Sequence, residues 1–216
     1  TAMCYFDENS QNILMPVKYD TSKEVCVYVR CSTVKANRCF KGVNNFILNR
    51  LVRTKSGDRN IVVNFIDALH YNNSQLKALK PLEGTTVLEK VPQSTEAIDD
   101  TLRRLVASFT DMDEKLQDYE NVCEYNMANP DNKIANRLVV LNGYPKAFND
   151  NSRKCIDRII YNHQRYGISI ILIENTGYDK IKDNKTDKIG SAANVYYIDM
   201  PVGATSTIQL DNDVRV

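Results

Sequence analysis

The sequence predicts an α/β three-layer domain with a mainly parallel central sheet, on three observations. Leu138 to Leu141 and Ile168 to Ile173 are short continuous apolar runs, the pattern of strands buried on both faces. Between them Cys155, Ile156, Ile159, Ile160 and His163 fall on one helical face, and Gly167 stands where a helix C′ residue is wanted. Strand-like runs alternate with helical periods along the rest of the chain, the order that builds a parallel sheet covered by helices.

Ile13 to Tyr19 and Val25 to Val29 are apolar-rich runs joined by Asp20-Thr21-Ser22-Lys23, and read as a hairpin or two neighbouring strands. Ser32 to Phe40 is polar and basic. Phe40 to Arg53 reads as a helix, with Phe40, Val43, Phe46, Ile47, Leu48 and Leu51 on a broad apolar side. Ile61 to Ile66 is a β-branched strand closed by Asp67. Thr86 to Val91 reads as a short strand. Ser94 or Thr95 is a helix N-cap with acid in the first turn. From there Ile98, Leu102, Leu105, Val106, Phe109, Met112, Leu116 and Tyr119 keep a helical period over about six turns. The opposite face, with Asp99, Asp100, Asp111, Asp113, Glu114, Asp118 and Glu120, reads as solvated. Asn129-Pro130-Asp131 breaks the chain before Leu138 to Leu141, which Asn142-Gly143-Tyr144-Pro145 then stops. The helix and strand that follow complete a right-handed parallel βαβ unit. Val195 to Ile198 is a further strand, and Thr205 to Leu210 one more at an edge.

The 216 residues fit one domain, read as a core over 25–200 with an N-terminal hairpin or strand extension at 1–24 and an edge strand or tail at 201–216. The chain opens at Thr1 without Met and reads as a piece of something longer. No apolar run approaches the roughly 18 residues of a membrane span. The six cysteines have no C-x-x-C pair and the two histidines are far apart, so zinc spacing is absent. Scattered cysteines beside apolar residues read as reduced core residues of a cytoplasmic protein. The net charge of +1 hides an asymmetry: residues 1–80 carry 12 Lys+Arg against 6 Asp+Glu, and residues 81–150 carry 7 against 13. The basic excess lies at Arg30, Lys35, Arg38, Lys41, Arg50, Arg53, Lys55 and Arg59, and serves either as a solvated helix face or as a phosphate- or partner-facing patch.

Ligands of such sheets bind outside the carboxyl ends of the strands. The residues there are Asn142, Gly143, Asn175 and Thr176, none of them a strong acid, base or nucleophile. The first strand, basic turn and helix stand where a phosphate-binding loop G-x-x-x-x-G-K-[ST] would stand. The segment from Arg30 to Gly42 has one glycine, Gly42, inside the apparent helix, and lacks the motif. Asp67 ends a strand and is either functional or a turn partner; His70 follows it in a loop, and His163 is a core or boundary histidine.

Even so, several stretches resemble the FtsK/SpoIIIE family of RecA-like motor ATPases. Asn45 to Leu51 is similar to the helix after the family's Walker A loop, and Ile61 to Asp67 to the strand that follows. Thr101 to Val106, continuing to Glu124-Tyr125-Asn126, is similar to the long helix and E-Y-N turn before Walker B. Arg137 to Asn142 is similar to Walker B, and Gly167 to Asn175 to the next strand. The resemblance implies a RecA-like fold, sister ATPase domains or a secretion or translocation substrate as partners, DNA as a further partner, ring assembly of the parent protein, and a membrane anchor elsewhere in that parent. It also marks what this chain lacks. The loop lysine falls at Phe40 and the magnesium-binding hydroxyl at Lys41. The Walker B Asp-Glu pair falls at Asn142-Gly143, and the sensor glutamine at Asn175. Asparagine is a poorer partner than a carboxylate for hydrated Mg²⁺, and glycine cannot position a water for attack.

The expectation is therefore a degenerate, non-hydrolysing module without cofactor, acting as scaffold, partner-docking or regulatory domain of a larger translocase or secretion motor, with a vestigial nucleotide site at Lys35, Asn37, Arg38, Phe40, Lys41, Asn142, Gly143 and Asn175. If the site is vestigial, Phe40 fills the space of a phosphate. Two alternatives stand beside it. One is a divergent DNA translocase that still binds Mg-ATP, holding phosphate through Lys35, Arg38 and Lys41. The other is an unrelated α/β nucleic-acid-binding domain, for which few aromatics interleave with the basic residues.

Overall fold

The structure, a computed structural model, describes residues 2–8, 11–17, 24–31, 43–45, 61–69, 79–175, 195–200, 207–210 and 214–215. Five parallel strands form its centre. In sheet order they are β4 (Ile61–Asp67), β5 (Asn136–Asn142), β6 (Ile168–Asn175), β3 (Cys26–Cys31) and β7 (Val195–Met200). β8 (Thr207–Leu210) and β9 (Val214–Arg215) extend the sheet antiparallel beyond β7. The first central strand in sequence, β3, is thus inserted between the last two parallel ones.

The strands form because both of their faces are covered. On one face Cys26, Tyr28, Ile66, Val139, Leu141, Ile168, Ile170 and Leu172 pack against α1 (Thr95–Lys115), α2 (Val122–Ala128) and α3 (Asp150–Asn162). On the other, Val27, Val29, Val63, Phe65, Leu138, Val140, Ile171 and Ile173 meet Val43 of a helical turn and Leu79, Leu88 and Val91. With period-two alternation on β3, β4, β5 and β6, both sets are largely apolar, which is why these runs are continuous rather than alternating.

The helices start where side chains cap them. Ser94 accepts from the Ala97 N–H at the start of α1. Asn149 accepts from the Ser152 N–H at the start of α3, and its amide reaches Asp99 Oδ2 at 2.8 Å. Ser152 Oγ also donates to Asp99, so one carboxylate of α1 fastens the start of α3. Ile156, Ile159, Ile160 and His163 are buried as the helical spacing predicts. On the opposite face of α1 most acids are exposed, but Asp99 and Asp113 are engaged, the latter by Arg165 and the Tyr166 hydroxyl.

Four expectations are corrected. The run at Ile13 to Tyr19 contributes β2 (Gln11–Val17), which pairs antiparallel with β1 (Ala2–Glu8) in a separate two-stranded sheet rather than with Val25 to Val29. The long helix ends at Lys115, and α2 restarts it at Asn121, whose side chain accepts from the Glu124 N–H while Glu124 accepts from the Glu120 N–H. Such reciprocal capping begins a new helix despite the continuing apolar period. Thr86 to Val91 makes only bridges around Leu88: Val63 N–H donates to Val87 and Val63 carbonyl accepts from Glu89. Its neighbours Thr85 and Glu83 bind it into a local turn instead. Thr205 to Leu210 yields β8, and β9 rather than β8 is the outer strand. Of the helix expected at Phe40 to Arg53, residues 43–45 are helical and the others lie outside the described residues.

Candidate functional site at the carboxyl edge of the sheet

The parallel register brings the strand ends together. Asp67 stands opposite Asn142, Asn142 opposite Ile173, and Cys31 opposite both Asn175 and Met200. Two residues beyond Phe65 and Val140, Asp67 and Asn142 share the face that Val43 covers.

Asn142 is 1% exposed, and its amide Nδ2 donates to Asp67 Oδ1 at 2.7 Å. The same oxygen accepts from the Leu69 N–H at 3.2 Å, and the Asn142 carbonyl accepts from the Ala68 N–H at 3.1 Å. Asp67 is therefore a turn partner, as one of its two sequence readings has it, and a cross-strand acceptor as well.

The turn delivers Leu69 onto Gly143. Gly143 has φ +93°, and a Cβ there would lie 2.7 Å from Leu69 Cγ and 2.8 Å from Ala147 Cβ. Its N–H donates to Ile173 on β6 and its carbonyl accepts from Ala147, so its backbone is held on both sides. Only glycine suits a position that combines left-handed backbone with closed space.

Of the residues predicted for the site, Asn142 and Gly143 come together here with Asp67. Asn175 ends β6 beside β3. Lys35, Asn37, Arg38, Phe40, Lys41, His70 and Thr176 lie outside the described residues. Sequence reasoning missed Leu69; the only signal for it was the Asn-Gly step itself, which demands an unusual backbone without naming what fills the space.

On the helix-covered face the Tyr28 hydroxyl donates to Glu174, next to the carboxyl end of β6. Burial first, and then this hydrogen bond, push the Tyr28 phenol up. Tyr144 meets Tyr28 edge-on at 6.2 Å, and burial followed by Asp157 pushes it up to about 12. Burial likewise pushes the Cys26 thiol up to about 12. All three stay protonated at neutral pH, so none is a nucleophile. His163, also buried, donates from Nδ1 to the Ile160 carbonyl at 2.7 Å, and its Nε2 has no partner. Burial holds its pKa down and keeps it neutral.

The Glu124-Tyr125-Asn126 stretch is structural. Glu124 caps α2, Tyr125 is buried against Tyr119, and Asn126 both donates to and accepts from the backbone of Ile134. Among the described residues no group of three or more His, Cys, Asp or Glu side chains is placed to hold a metal ion. At this edge β5 itself offers a magnesium ion no carboxylate. The amide on β5 is turned to Asp67, and the next position has no room for a side chain. No helix among the described residues is long and apolar enough to cross a membrane.

No protein-family model and no curated protein matches the sequence. Solved structures match its fold. The cytoplasmic domain of the Thermomonospora curvata type VII secretion ATPase EccC is similar with a TM-score of 0.66 at 14% identity, over 99% of this chain and 25% of that one. EssC (ATPases 2 and 3) from Geobacillus thermodenitrificans gives 0.64 at 12%, over 97% and 42%. The conjugation coupling protein TcpA of pCW3, in a monomer form with ATPγS, gives 0.59 at 13%, over 98% and 63%. The chain thus spans from a quarter to under two thirds of the length of these proteins. With five parallel strands in this order and helices on the sheet, the chain has the RecA-like fold of the FtsK/SpoIIIE-type ATPase domains that its sequence resembles.

Proposed function

We propose that this chain is a non-hydrolysing RecA-like module of a larger, cytoplasmic translocation or secretion motor, in which it serves as a scaffold or docking domain for sister ATPase domains or for the cargo. The observation that carries the reading is the Asn142-Gly143 step. A metal-dependent phosphoryl-transfer site needs a carboxylate for the ion and a group that orients the attacking water. Here an amide committed to Asp67 stands at the first position, and a glycine closed over by Leu69 and Ala147 at the second. Only the fold remains available for use, and folds carry partners on their outer surfaces. One similar structure, EccC (ATPases 2 and 3) from Thermomonospora curvata, holds a signal-sequence peptide. We extend protein docking of that kind to this chain, in preference to DNA. We take residues 25–200 as the module, with 1–24 and 201–216 as its flanks.

Calorimetric titration of Mg-ATP into the purified chain, with a turnover assay on the same sample, tests this. The expected result is neither binding heat nor phosphate release. Binding without turnover would make the module a nucleotide-sensing regulator, and Lys35, Arg38 and Lys41 would be the residues to substitute. Turnover abolished by Lys41→Ala would overturn the reading in favour of a divergent motor.

A further inference from the structure

We propose that Asp67 and Asn142 form a clasp: an amide–carboxylate pair that joins the carboxyl ends of β4 and β5 and, through the turn it fixes, holds Leu69 over Gly143. The inference rests on the reading that this edge carries no magnesium, and goes beyond it by giving the two residues a present task.

Three observations support it. First, the pair is direct, 2.7 Å between Nδ2 and Oδ1, with Asn142 1% exposed and Asp67 half-buried. A hydrogen bond to a charged acceptor in such a place is among the strong ones. Second, the connection is doubled by the backbone, because the Ala68 N–H donates to the Asn142 carbonyl while the Asp67 side chain accepts from Leu69. The side-chain pair and the turn are therefore one unit. Third, that unit explains Gly143. Leu69 Cγ lies only 2.7 Å from where a Cβ of residue 143 would be, so the turn Asp67 builds adds its own demand for glycine to that of the positive φ. A carboxylate at 142 would face Asp67 across the same gap. Two like charges at that distance repel strongly unless a proton or a cation lies between them. Asparagine removes the repulsion by supplying the donor itself.

The pair can be reversed, and the test uses that. Asn142→Asp puts two carboxylates face to face. Asp67→Asn with Asn142→Asp restores one amide and one carboxylate; the nitrogen that donates across the strands then stands where Oδ1 accepts from the Leu69 N–H, so the cross-strand bond returns without the turn bond. Thermal melting of the full chain is followed in EDTA and in millimolar Mg²⁺. We expect Asn142→Asp to melt on the order of 5 °C below the original chain in EDTA. Mg²⁺ should recover part of that loss, and the double exchange part of it without metal. The original chain should melt alike in both buffers. If Asn142→Asp melts with the original chain, or the double exchange melts no higher than Asn142→Asp, the clasp is wrong. If Asn142→Asp does not fold at all, a folded double exchange supports the clasp and an unfolded one overturns it. Binding of Mg-ATP to the original chain would sink the proposed function, whereas the exchange experiment judges the clasp separately.

Discussion

At its amino end β5 is led in by Asn126, whose side chain both donates to and accepts from the backbone of Ile134, eight residues away. At its carboxyl end Asn142 donates to Asp67, 75 residues away on the neighbouring strand. Both are asparagine fasteners on one strand, but they are made differently. The amino-end fastener is local and closes a short loop whatever lies at the other end of the sheet. The carboxyl-end fastener exists only when β4 and β5 are in register. The stretch that resembles the E-Y-N turn is held by local bonds, and the stretch that resembles Walker B is held across strands.

Gly143→Ala is the largest way to break the comparison. The left-handed backbone and the two close contacts together should cost about 3 kcal/mol. That corresponds to a Tm fall of roughly 6–12 °C for a chain of this size. A melting curve near that of the unchanged protein would mean that Leu69 does not close the edge. At the amino end Asn126→Ala removes two hydrogen bonds at once and should cost about 2 kcal/mol by denaturant unfolding. Asn126→Asp, which keeps the acceptor for Ile134 N–H but sets a carboxylate against its carbonyl, separates the two bonds.

Gly167→Ala sharpens the contrast between the glycine that follows β5 and the one that precedes β6. Gly167 also has a positive φ, +66°, but a Cβ there would meet first the Asn136 side-chain oxygen at 2.8 Å and then Val122 at 3.0 Å. The first of these can rotate away. A cost of about 1–2 kcal/mol is expected, smaller than at Gly143, and equal costs would remove the distinction.

The smallest effect is a pH dependence at His163. Its folded pKa is lowered by burial, so the unfolded chain binds the proton more readily. The contribution is whole above the ordinary histidine value, near 6.5, and is lost as pH falls below it towards the lowered folded value. The slope cannot exceed about 1.4 kcal/mol per pH unit for one group. Comparing His163→Leu with the parent between pH 8 and 5 isolates it; a difference that grows as pH falls would reverse the sign.

The sequence makes much of this architecture legible because the strands are buried on both faces, and such runs stand out. The apolar stripes on α1 and α3, the Ser94 cap and the βαβ unit follow from local rules. The insertion of β3 between β6 and β7 does not, since nothing in a strand names its neighbours. The new start at Asn121 was hidden because Leu116 and Tyr119 continue the stripe across the break. In the site, Asn142-Gly143 carries neither acid nor base, which can be read directly from residue types. Asp67 as the partner of Asn142 needs the register, and Leu69 needs the turn.

The bridges around Leu88 have a consequence for association. Val63 on β4 gives its N–H to Val87 and its carbonyl to Glu89, groups an incoming strand would otherwise use. The chain covers its own edge there with a segment whose tip, Gly84 to Thr86, is exposed. A strand from another molecule must displace that cover before it can extend the sheet through Val63, which works against runaway stacking of crowded copies. Cleavage at the tip would loosen the cover and leave these two groups of Val63 open to such a strand.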